Sequence, residues 1–335
     1  MIRRRFLQLS ALSFAGMGLK ACNEDASRSQ SGSHILDDAS LTIDGVHLRY
    51  RVPQVTQPVK IIQITDTHLW RDDERGEPYR QYSNRMARAY NQTRHFQTGD
   101  LTNPEESFEQ VLQMAQEKEA DLVALTGDNF SFPSEAAVEW AMERLEQSGL
   151  EWMFTSGNHD WHYEGMPGSI HELRDTWIEK RLMDLYRGTD PMNTEFRIKE
   201  ISIVGIDNAT YDISDSQLAF FRNQVQQNRP MLLMMHIPLY APGRSVWHGC
   251  GHPEWGAHSD PVYELEGREP WAVEGHSETT FSFRKEAFQA PNMLGVFVGH
   301  RHRYTTDMVH RTPQFVAPPN ANGGYLEIDI LPMTV

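Results

Sequence analysis

The chain has 335 residues, of which 39% are hydrophobic and 10% aromatic, and this composition excludes a fibrous or disordered protein. Its formal net charge of -15 disfavours non-specific binding to nucleic acid or to an anionic membrane, although metal ions in a cleft can still make one locally positive site for a phosphate. The only two cysteines, Cys22 and Cys250, exclude a disulfide framework, and we infer no structural disulfide.

The first 22 residues have the pattern of an export signal. Arginines at 3–5 precede a short apolar run at 9–19 and resemble a twin-arginine signal. Even with its apolar-leaning flanks the segment has only roughly 14 such residues, which is short for a transmembrane helix. The segment ends in a sequence that resembles a bacterial lipoprotein cleavage box, Leu19-Lys20-Ala21-Cys22, in which Lys20 departs from the usual small or apolar residue. We expect export to the periplasm or cell envelope, with lipidation of Cys22 as a hypothesis.

Residues 23–40 are rich in polar and small residues and predict a flexible tether. Residues 41–335 then read as one domain, without an internal repeat or a second linker. Two segments within it read as insertions, at about 70–100 and 238–290. The first carries six arginines, for which a solvated surface is favoured over a phosphate-steering flap.

Apolar patterning predicts an edge strand within 41–52, with a turn at Asp44-Gly45, and then alternating strands and helices. Buried strands are predicted at 59–65, 121–126, 152–155, 231–235 and 294–298, two strands or one bent hairpin at 196–206, and a terminal hairpin from 314–317 and 325–330. Helices are predicted after Asn103, from Ser134 to Gly149, at 170–186 and at 216–226. This order favours a parallel α/β arrangement.

Each of the five buried strands ends in side chains that can bind a metal ion or move a proton. In chain order these are Asp66 and His68, Asp128, Asn158 and His159, His236, and His300 and His302. In α/β sheets, ligands bind outside the carboxyl ends of the strands, so we expect these groups to converge. A polar turn or a core histidine explains any one of them, but not all five together.

These motifs resemble those of the calcineurin-like metallophosphoesterases: Asp-x-His, Gly-Asp, Gly-Asn-His-Asp/Glu, a lone His and Gly-His-x-His occur in this order over roughly residues 59–302. The resemblance implies a layered α/β/β/α sandwich with two metal ions at the carboxyl ends of the strands. It assigns Asp66, His68 and His302 to one ion, Asn158, His236 and His300 to the other, and Asp128 to both. Oxygen and imidazole ligands without thiolate suit Fe, Mn or Zn, as divalent or trivalent ions.

Two other groups of residues contain side chains that could bind a metal ion. Gly99-Asp100 is a second Gly-Asp pair, but no buried strand precedes it, so Asp128 is the better candidate. His248, Cys250 and His252 cluster with tryptophans in the second insertion, but their spacing matches no common zinc module. We therefore favour surface or hydrogen-bonding roles for these histidines.

The resulting hypothesis is binuclear metal-dependent hydrolysis of a small-molecule phosphoester. His159 stands beside a metal ligand without being needed as one, which makes it the candidate general acid. The motifs leave open a phosphatase, a nucleotidase, and a cyclic nucleotide or other phosphodiesterase. A non-catalytic metal-binding lipoprotein is the alternative from another class, although such a scaffold would be expected to lack some of these residues. Specific nucleic-acid binding is not expected, and membrane attachment would run through a lipidated Cys22.

Overall fold

Two six-stranded sheets lie at the centre of the computed structural model, which describes residues 33–259 and 275–333. The strands of the described residues are β1 Ser40–Asp44, β2 His47–Val52, β3 Val59–Ile64, β4 Thr93–Arg94, β5 Leu101–Thr102, β6 Leu122–Thr126, β7 Trp152–Thr155, β8 Asn193–Ile198, β9 Ile201–Ile206, β10 Met231–Met234, β11 Met293–Val298, β12 Thr305–Val309, β13 Thr312–Val316 and β14 Leu326–Pro332. The helices are α1 Arg80–Ser83, α2 Met86–Ala89, α3 Pro104–Glu117, α4 Glu135–Ser148, α5 Ile170–Trp177, α6 Met183–Tyr186, α7 Asp215–Gln226 and α8 Glu278–Ala287.

The first sheet has the strand order β1-β2-β14-β3-β6-β7, and the second has the order β12-β13-β11-β10-β9-β8. Strands β3, β6 and β7 run parallel in the first sheet, and β9, β10, β11 and β13 run parallel in the second. The predicted parallel α/β arrangement is therefore confirmed, with its strands divided between two sheets. A separate two-stranded hairpin consists of β4 and β5.

Alternate residues of the central strands point to opposite faces and build two different cores. Ile61, Leu122 and Met153 of the first sheet pack with Leu232 and Met234 of the second in the space between the sheets. Residues next to them in sequence face outward and pack against helices instead. Helices α3 and α4 contact each other beside the first sheet, and α7 and α8 contact each other beside the second. The fold is thus the expected α/β/β/α sandwich.

Local sequence explains where the main helices begin and end. The side chain of Asn103 accepts a hydrogen bond from the backbone N–H of Glu106 and caps α3, and that of Ser134 accepts one from Ala137 and caps α4. Gly149 adopts a left-handed conformation, with φ of 66°, and ends α4. The helix predicted at 170–186 is present, but a π-helical turn at Ile178–Leu182 separates α5 from α6.

The predicted terminal hairpin is wrong. Strand β13 lies in the second sheet, between β11 and β12, and pairs antiparallel with β12. Strand β14 lies in the first sheet, between β2 and β3. The apolar alternation marked both segments correctly as strands, but alternation does not specify a strand's partner.

The signal, Cys22 and most of the predicted tether lie outside the described residues. The end of the tether differs from the expectation of a free linker, because residues 35–37 form a short 3-10 helix whose Ile35 is buried and donates its backbone N–H to the carbonyl of Pro291 at 2.7 Å. Among the described residues, none of the helices is long and apolar enough to cross a membrane.

The arginine-rich insertion folds as short helices followed by the β4–β5 hairpin. Arg71 pairs with Glu105 at 3.0 Å, and Arg75 pairs with Glu139 at 2.6 Å, on the protein surface. These pairs agree with the solvated interpretation of the segment. The second predicted insertion, 238–290, contains α8, which packs on α7, where Phe283 and Phe221 meet edge to face at 5.0 Å.

His276, which lies just before α8, provides a test of acid stability. Its ring stacks on Trp255 with a centroid distance of 4.4 Å, and burial lowers the pKa of His276 to about 4. As the pH falls below about 6.5, the unfolded chain binds a proton that the folded chain excludes, so folding stability falls until about pH 4. Because of this residue, the free energy of unfolding should be about 3 kcal/mol lower at pH 4 than at pH 7.

We expect His276→Phe, which keeps a ring beside Trp255, to remove that part of the acid destabilisation. Chemical denaturation at several pH values measures it, and His171→Gln, on the exposed face of α5, is the control. An unchanged difference in stability between pH 7 and pH 4 in the His276 variant would contradict the assignment.

Candidate metal centre

The carboxyl ends of β3, β6, β7, β10 and β11 bring the predicted residues together in two adjoining clusters. In the first cluster, the potential ligand atoms of Asp66, His68, Asp128 and His302 lie within 4.8 Å of one another. In the second cluster, the potential ligand atoms of Asp128, His236 and His300 also lie within 4.8 Å of one another. Asp128 belongs to both clusters and is 1% exposed.

The backbone at these strand ends is held in an unusual conformation. Five of the candidate ligands have positive φ angles, between 47° and 69°, namely Asp66, His68, Asp128, His300 and His302. Non-glycine residues adopt this region at a cost, and such residues concentrate at functional sites. Hydrogen bonds across neighbouring loops support the conformation: the N–H of Asp66 bonds the carbonyl of Gly127 at 2.9 Å, and that of His68 bonds the carbonyl of Asp128 at 3.0 Å.

Two motif glycines allow close approach to the candidate carboxylates. A Cβ atom added to Gly157 would lie 2.3 Å from the backbone nitrogen and Oδ1 of Asp128. One added to Gly299 would lie 2.0 Å from Oγ1 of Thr65 and 2.4 Å from Oδ2 of Asp66. Any side chain at either position would displace a carboxylate, so the glycines of these motifs position the acids rather than merely making a turn.

Backbone donors and neighbouring imidazoles also orient both carboxylates. The N–H of His300 lies 3.0 and 2.9 Å from the two oxygens of Asp66, and Nε2 of His302 lies 3.1 Å from Oδ1 of that residue. The N–H of His159 donates to Oδ1 of Asp128 at 2.8 Å, and Nε2 of His236 lies 3.1 Å from its Oδ2. Each carboxylate therefore ties together loops from different strands.

Three imidazoles use one ring nitrogen for a contact outside the two clusters, and the other ring nitrogen is the one that a metal ion would take. Nδ1 of His236 bonds the carbonyl of Thr126 at 2.9 Å, Nδ1 of His302 contacts the hydroxyl of Tyr90 at 3.2 Å, and Nε2 of His300 contacts that of Tyr211 at 2.5 Å. Metal-binding histidines characteristically have such a partner on the other nitrogen, because it fixes the tautomer and the ring orientation.

The electrostatics of the centre suit a cation. Burial and the neighbouring His302 hold the pKa of His68 well below its usual value. Burial and His236 likewise hold the pKa of His300 well below its usual value. Both imidazoles are therefore neutral. Burial would raise the pKa of Asp128, but the imidazoles of His236 and His159 outweigh it and keep the carboxyl ionised. Neutral imidazoles beside an ionised carboxylate are the protonation states that metal binding requires.

His236 shows where a metal ion would replace a proton. Burial opposes protonation of this ring, but the carboxylate of Asp128 outweighs burial and raises the pKa of His236 to about 9. Without a metal ion, a protonated His236 lies beside the ionised carboxylate of Asp128 in a fully buried pair. A cation between them would neutralise the carboxylate in that proton's place.

The turn after β7 carries Asn158, His159 and Asp160. The Oδ1 atom of Asn158 is buried and accepts no hydrogen bond from the described residues, as expected of a ligand oxygen that faces a cation. The ring of His159 is partly exposed and meets His68 edge to face at 5.3 Å. Asp160 accepts hydrogen bonds from the N–H groups of Phe130, at 2.8 Å, and Gly157, at 2.7 Å, and so fixes this turn against the one after β6.

Sequence reasoning missed three residues that hold the centre together. Tyr90 comes from the arginine-rich insertion, stacks on His68 at 4.2 Å and contacts His302, and Tyr211 contacts His300. Neither tyrosine belongs to a motif, so the sequence carried no signal for them. Asp160 stood at the end of the Gly-Asn-His-Asp motif, but its role depends on the contact with Phe130, which lies 30 residues away in sequence.

The second insertion reaches the centre through Tyr211. Trp255 stacks on Tyr211 with a centroid distance of 5.1 Å, and the thiol of Cys250 donates to the carbonyl of Tyr211 at 3.3 Å. Trp271, another tryptophan of this insertion, lies outside the described residues. Cys250 therefore has a packing contact, whereas Nδ1 of His252 accepts the N–H of Glu254 and Nε2 of His248 faces Asp307. In the described part of the chain, these residues do not form one of the metal-capable clusters.

Two further features lie apart from the centre. Asp100 is exposed beside the β4–β5 hairpin and belongs to no metal-capable cluster of the described residues. His47, Glu327 and Asp329 do cluster, but Lys60 and Lys118 bond these carboxylates, with Lys60 Nζ at 2.8 Å from Glu327 and 2.5 Å from Asp329. Two ammonium groups already neutralise the acids and would repel a metal ion, so this cluster is an ion-pair network.

Comparisons with known proteins give the following results. The family model described as calcineurin-like phosphoesterase matches residues 59–304. Similar solved structures include a dimetal phosphatase from Danio rerio (11% identity, TM-score 0.49, covering 80% of this chain and 91% of that one). A second is a purple acid phosphatase from yellow lupin, Lupinus luteus, with 12% identity and a TM-score of 0.46, covering 83% of this chain and 46% of that one. A third is phosphopantetheinyl hydrolase from Mycobacterium tuberculosis, with 10% identity and a TM-score of 0.39, covering 78% of this chain and 89% of that one. No curated protein sequence matches the chain significantly.

Proposed function

The chain belongs to the calcineurin-like phosphoesterase family, and from this we propose that it hydrolyses small-molecule phosphoesters, with monoesters as the first candidate substrates, at a pair of metal ions that share Asp128. The family is binuclear and metal-dependent, and its members are hydrolases. The observation that carries the proposal is the position of Asp128, whose carboxylate stands at the junction of two clusters of potential ligands. A single carboxylate between two such clusters suits two ions that share one ligand.

Each ion would have its own set of protein ligands. One site takes Asp66, His68 and His302, and the other takes Asn158, His236 and His300, with Asp128 common to both. Oxygen and imidazole donors without a thiolate favour Fe, Mn or Zn. Such a pair of ions neutralises charge on a phosphoryl group and lowers the pKa of water.

The protein residues supply orientation and a proton. Asp128 accepts the backbone N–H of His159, so the residue that holds both ions also positions the candidate acid. The partly exposed ring of His159 can reach a bound substrate and donate a proton to the leaving oxygen as the phosphorus–oxygen bond breaks. The hydroxyls of Tyr90 and Tyr211 contact the rings of His302 and His300 and keep them in position.

A phosphodiesterase, including one for cyclic nucleotides, is the second candidate function, and a non-catalytic metal-binding lipoprotein is a weaker third. The test is a steady-state assay of protein that lacks residues 1–22, loaded in turn with Fe, Mn and Zn. The panel comprises sugar monophosphates, nucleoside monophosphates, a cyclic nucleotide and a nitrophenyl diester, with metal content measured in parallel. Higher kcat/KM for diesters than for monoesters would overturn the monoesterase proposal, and two bound metal ions without turnover would favour the scaffold.

Export and lipidation form a separate proposal, which the twin-arginine-like signal and the cleavage-box-like sequence support. We expect mature protein from a membrane extract to begin at Cys22 with acyl chains on that residue, and intact-mass spectrometry measures this directly. Cys22→Ser should release the protein from the membrane fraction. Recovery of an unmodified cysteine that is still joined to residues 1–21 would replace the lipoprotein interpretation with an uncleaved anchor.

A further inference from the structure

A cationic pocket lies beside the candidate metal centre and takes no part in holding the ions. It has a volume of about 380 Å³, and its lining includes three arginines, Arg244, Arg301 and Arg303. Arg301 and Arg303 alternate in sequence with His300 and His302, so one short loop carries both candidate metal ligands and two of the pocket's arginines. Arg301 directly follows His300 in the chain and lines the pocket, so the pocket adjoins the loop that carries two candidate ligands.

Among the residues that the structure describes, little negative charge offsets these arginines. The carboxylate of Asp307 lies 2.8 Å from Nε and 2.7 Å from Nη2 of Arg244, so it neutralises one of the three. Arg301 donates from Nη1 to the carbonyl of Trp247 at 2.9 Å, which positions its guanidinium without cancelling its charge. Arg303 is exposed and has no ion pair among the described residues. In a chain with a net charge of -15, the pocket thus keeps a local excess of positive charge.

Neutral polar groups complete the lining. Burial lowers the pKa of His248 to about 4, with Arg244 and Arg301 adding to the effect, so this ring is neutral at pH 7 and adds no charge. The hydroxyl of Thr305 is buried against the pocket and makes no hydrogen bond within the described residues. A donor of this kind together with planar guanidinium groups matches the several oxygens of a phosphate, which arginine recognises in a bidentate manner.

We propose that this pocket binds a second phosphate group of the substrate, so that the enzyme prefers compounds with two separate phosphates over the matching monophosphates. The inference rests on the proposed phosphoesterase function of the neighbouring centre. Binding energy from a remote group can be used to orient the reacting phosphate, and an additional anionic group would be repelled elsewhere on this acidic surface.

The test compares kcat/KM for glucose 1,6-bisphosphate and glucose 6-phosphate in the metal-loaded enzyme. We expect a preference of about ten-fold or more for the bisphosphate, and Arg303→Gln should reduce it by on the order of ten-fold, mainly through KM. Arg303→Lys keeps the charge and should retain part of the preference. Arg311→Gln is the matched control, because Arg311 is also exposed, pairs with Asp37 and lies at the other end of β12.

A second measurement separates the pocket from the activity. Calorimetry on the metal-loaded enzyme compares 1,3-propanediphosphonate with propylphosphonate, neither of which can be hydrolysed. If kcat/KM of the wild type for the bisphosphate exceeds that for the monophosphate only by the statistical factor of two, the pocket does not bind substrate and the proposal is overturned. The same conclusion follows if Arg303→Gln leaves this preference unchanged. If no phosphoester is hydrolysed, the proposed function fails, and the ratio of the two phosphonate affinities then decides for or against the pocket alone.

Discussion

Asp128→Ala should lose metal from both sites and reduce turnover by on the order of 10⁴-fold or more. The residue belongs to both ligand clusters, so its removal takes a ligand from each ion at once. Catalysis by two ions supplies several kcal/mol of transition-state stabilisation, and each 1.4 kcal/mol corresponds to about a factor of ten in rate. Metal content per chain and steady-state rates measure the two effects independently.

Two further variants make this experiment interpretable. Asp128→Ala also leaves the buried His236 without its carboxylate, which could lower stability, so thermal unfolding must show that the variant is folded. Asp128→Asn keeps the shape and removes only the charge, and it should lose most of the metal as well. Asp100→Ala, in the exposed Gly-Asp pair, should behave as the wild type. Retention of two tightly bound metal ions and near wild-type activity in Asp128→Ala would refute the shared-ligand assignment.

His159→Gln should keep both metal ions and still lose on the order of 10² to 10⁴ in rate on substrates with alkoxide leaving groups. The backbone N–H of residue 159, which donates to Asp128, is unchanged by the substitution. An alkoxide is a poor leaving group and needs a proton in the transition state. A nitrophenolate needs little protonation, so its hydrolysis should slow much less.

The dependence on the leaving group identifies the role of His159. Rates for a sugar monophosphate and for nitrophenyl phosphate are compared in wild type and variant, with metal content measured in each sample. If His159 only stabilises charge on the phosphoryl oxygens, both substrates should slow by a similar factor. Parallel losses would therefore remove the general acid from the mechanism, while leaving the metal centre intact.

Much of the fold was predictable because the buried strands are short, rich in β-branched and other apolar residues, and sharply bounded. The strand predicted at 152–155 matches β7, and the strand predicted at 231–235 is one residue longer than β10. The division of strands between two sheets was not predictable from periodicity, since Leu122 and Leu232 have equivalent local patterns. Only the resemblance to a family supplied the second sheet.

The convergence of the site residues was predictable for a related reason. The carboxyl ends of neighbouring parallel strands meet at one edge, so polar residues that follow such strands are brought together whatever their distance in sequence. The contacts of Tyr90, Tyr211 and Arg303 could not be found in this way, because loops place these side chains and loops lack a periodic signal. The structure was needed to show that the arginine-rich segment contributes Tyr90 to the centre, whereas the arginines of this segment remain at the surface.

The position of β14 has a consequence for the way the chain folds. Ile328 of β14 pairs with Ile61 of β3 on one side, and with Leu48 of β2 on the other, so a late segment fills a gap between two early strands. Contacts between such distant residues are slow to form, since a long loop must close first. During synthesis the first sheet cannot be completed until residues 326–332 have left the ribosome, and until then the edges of β2 and β3 remain open to mispairing. Completion of the first sheet is therefore a late step in folding, and a chaperone that shields those two strands would raise the yield of folded protein.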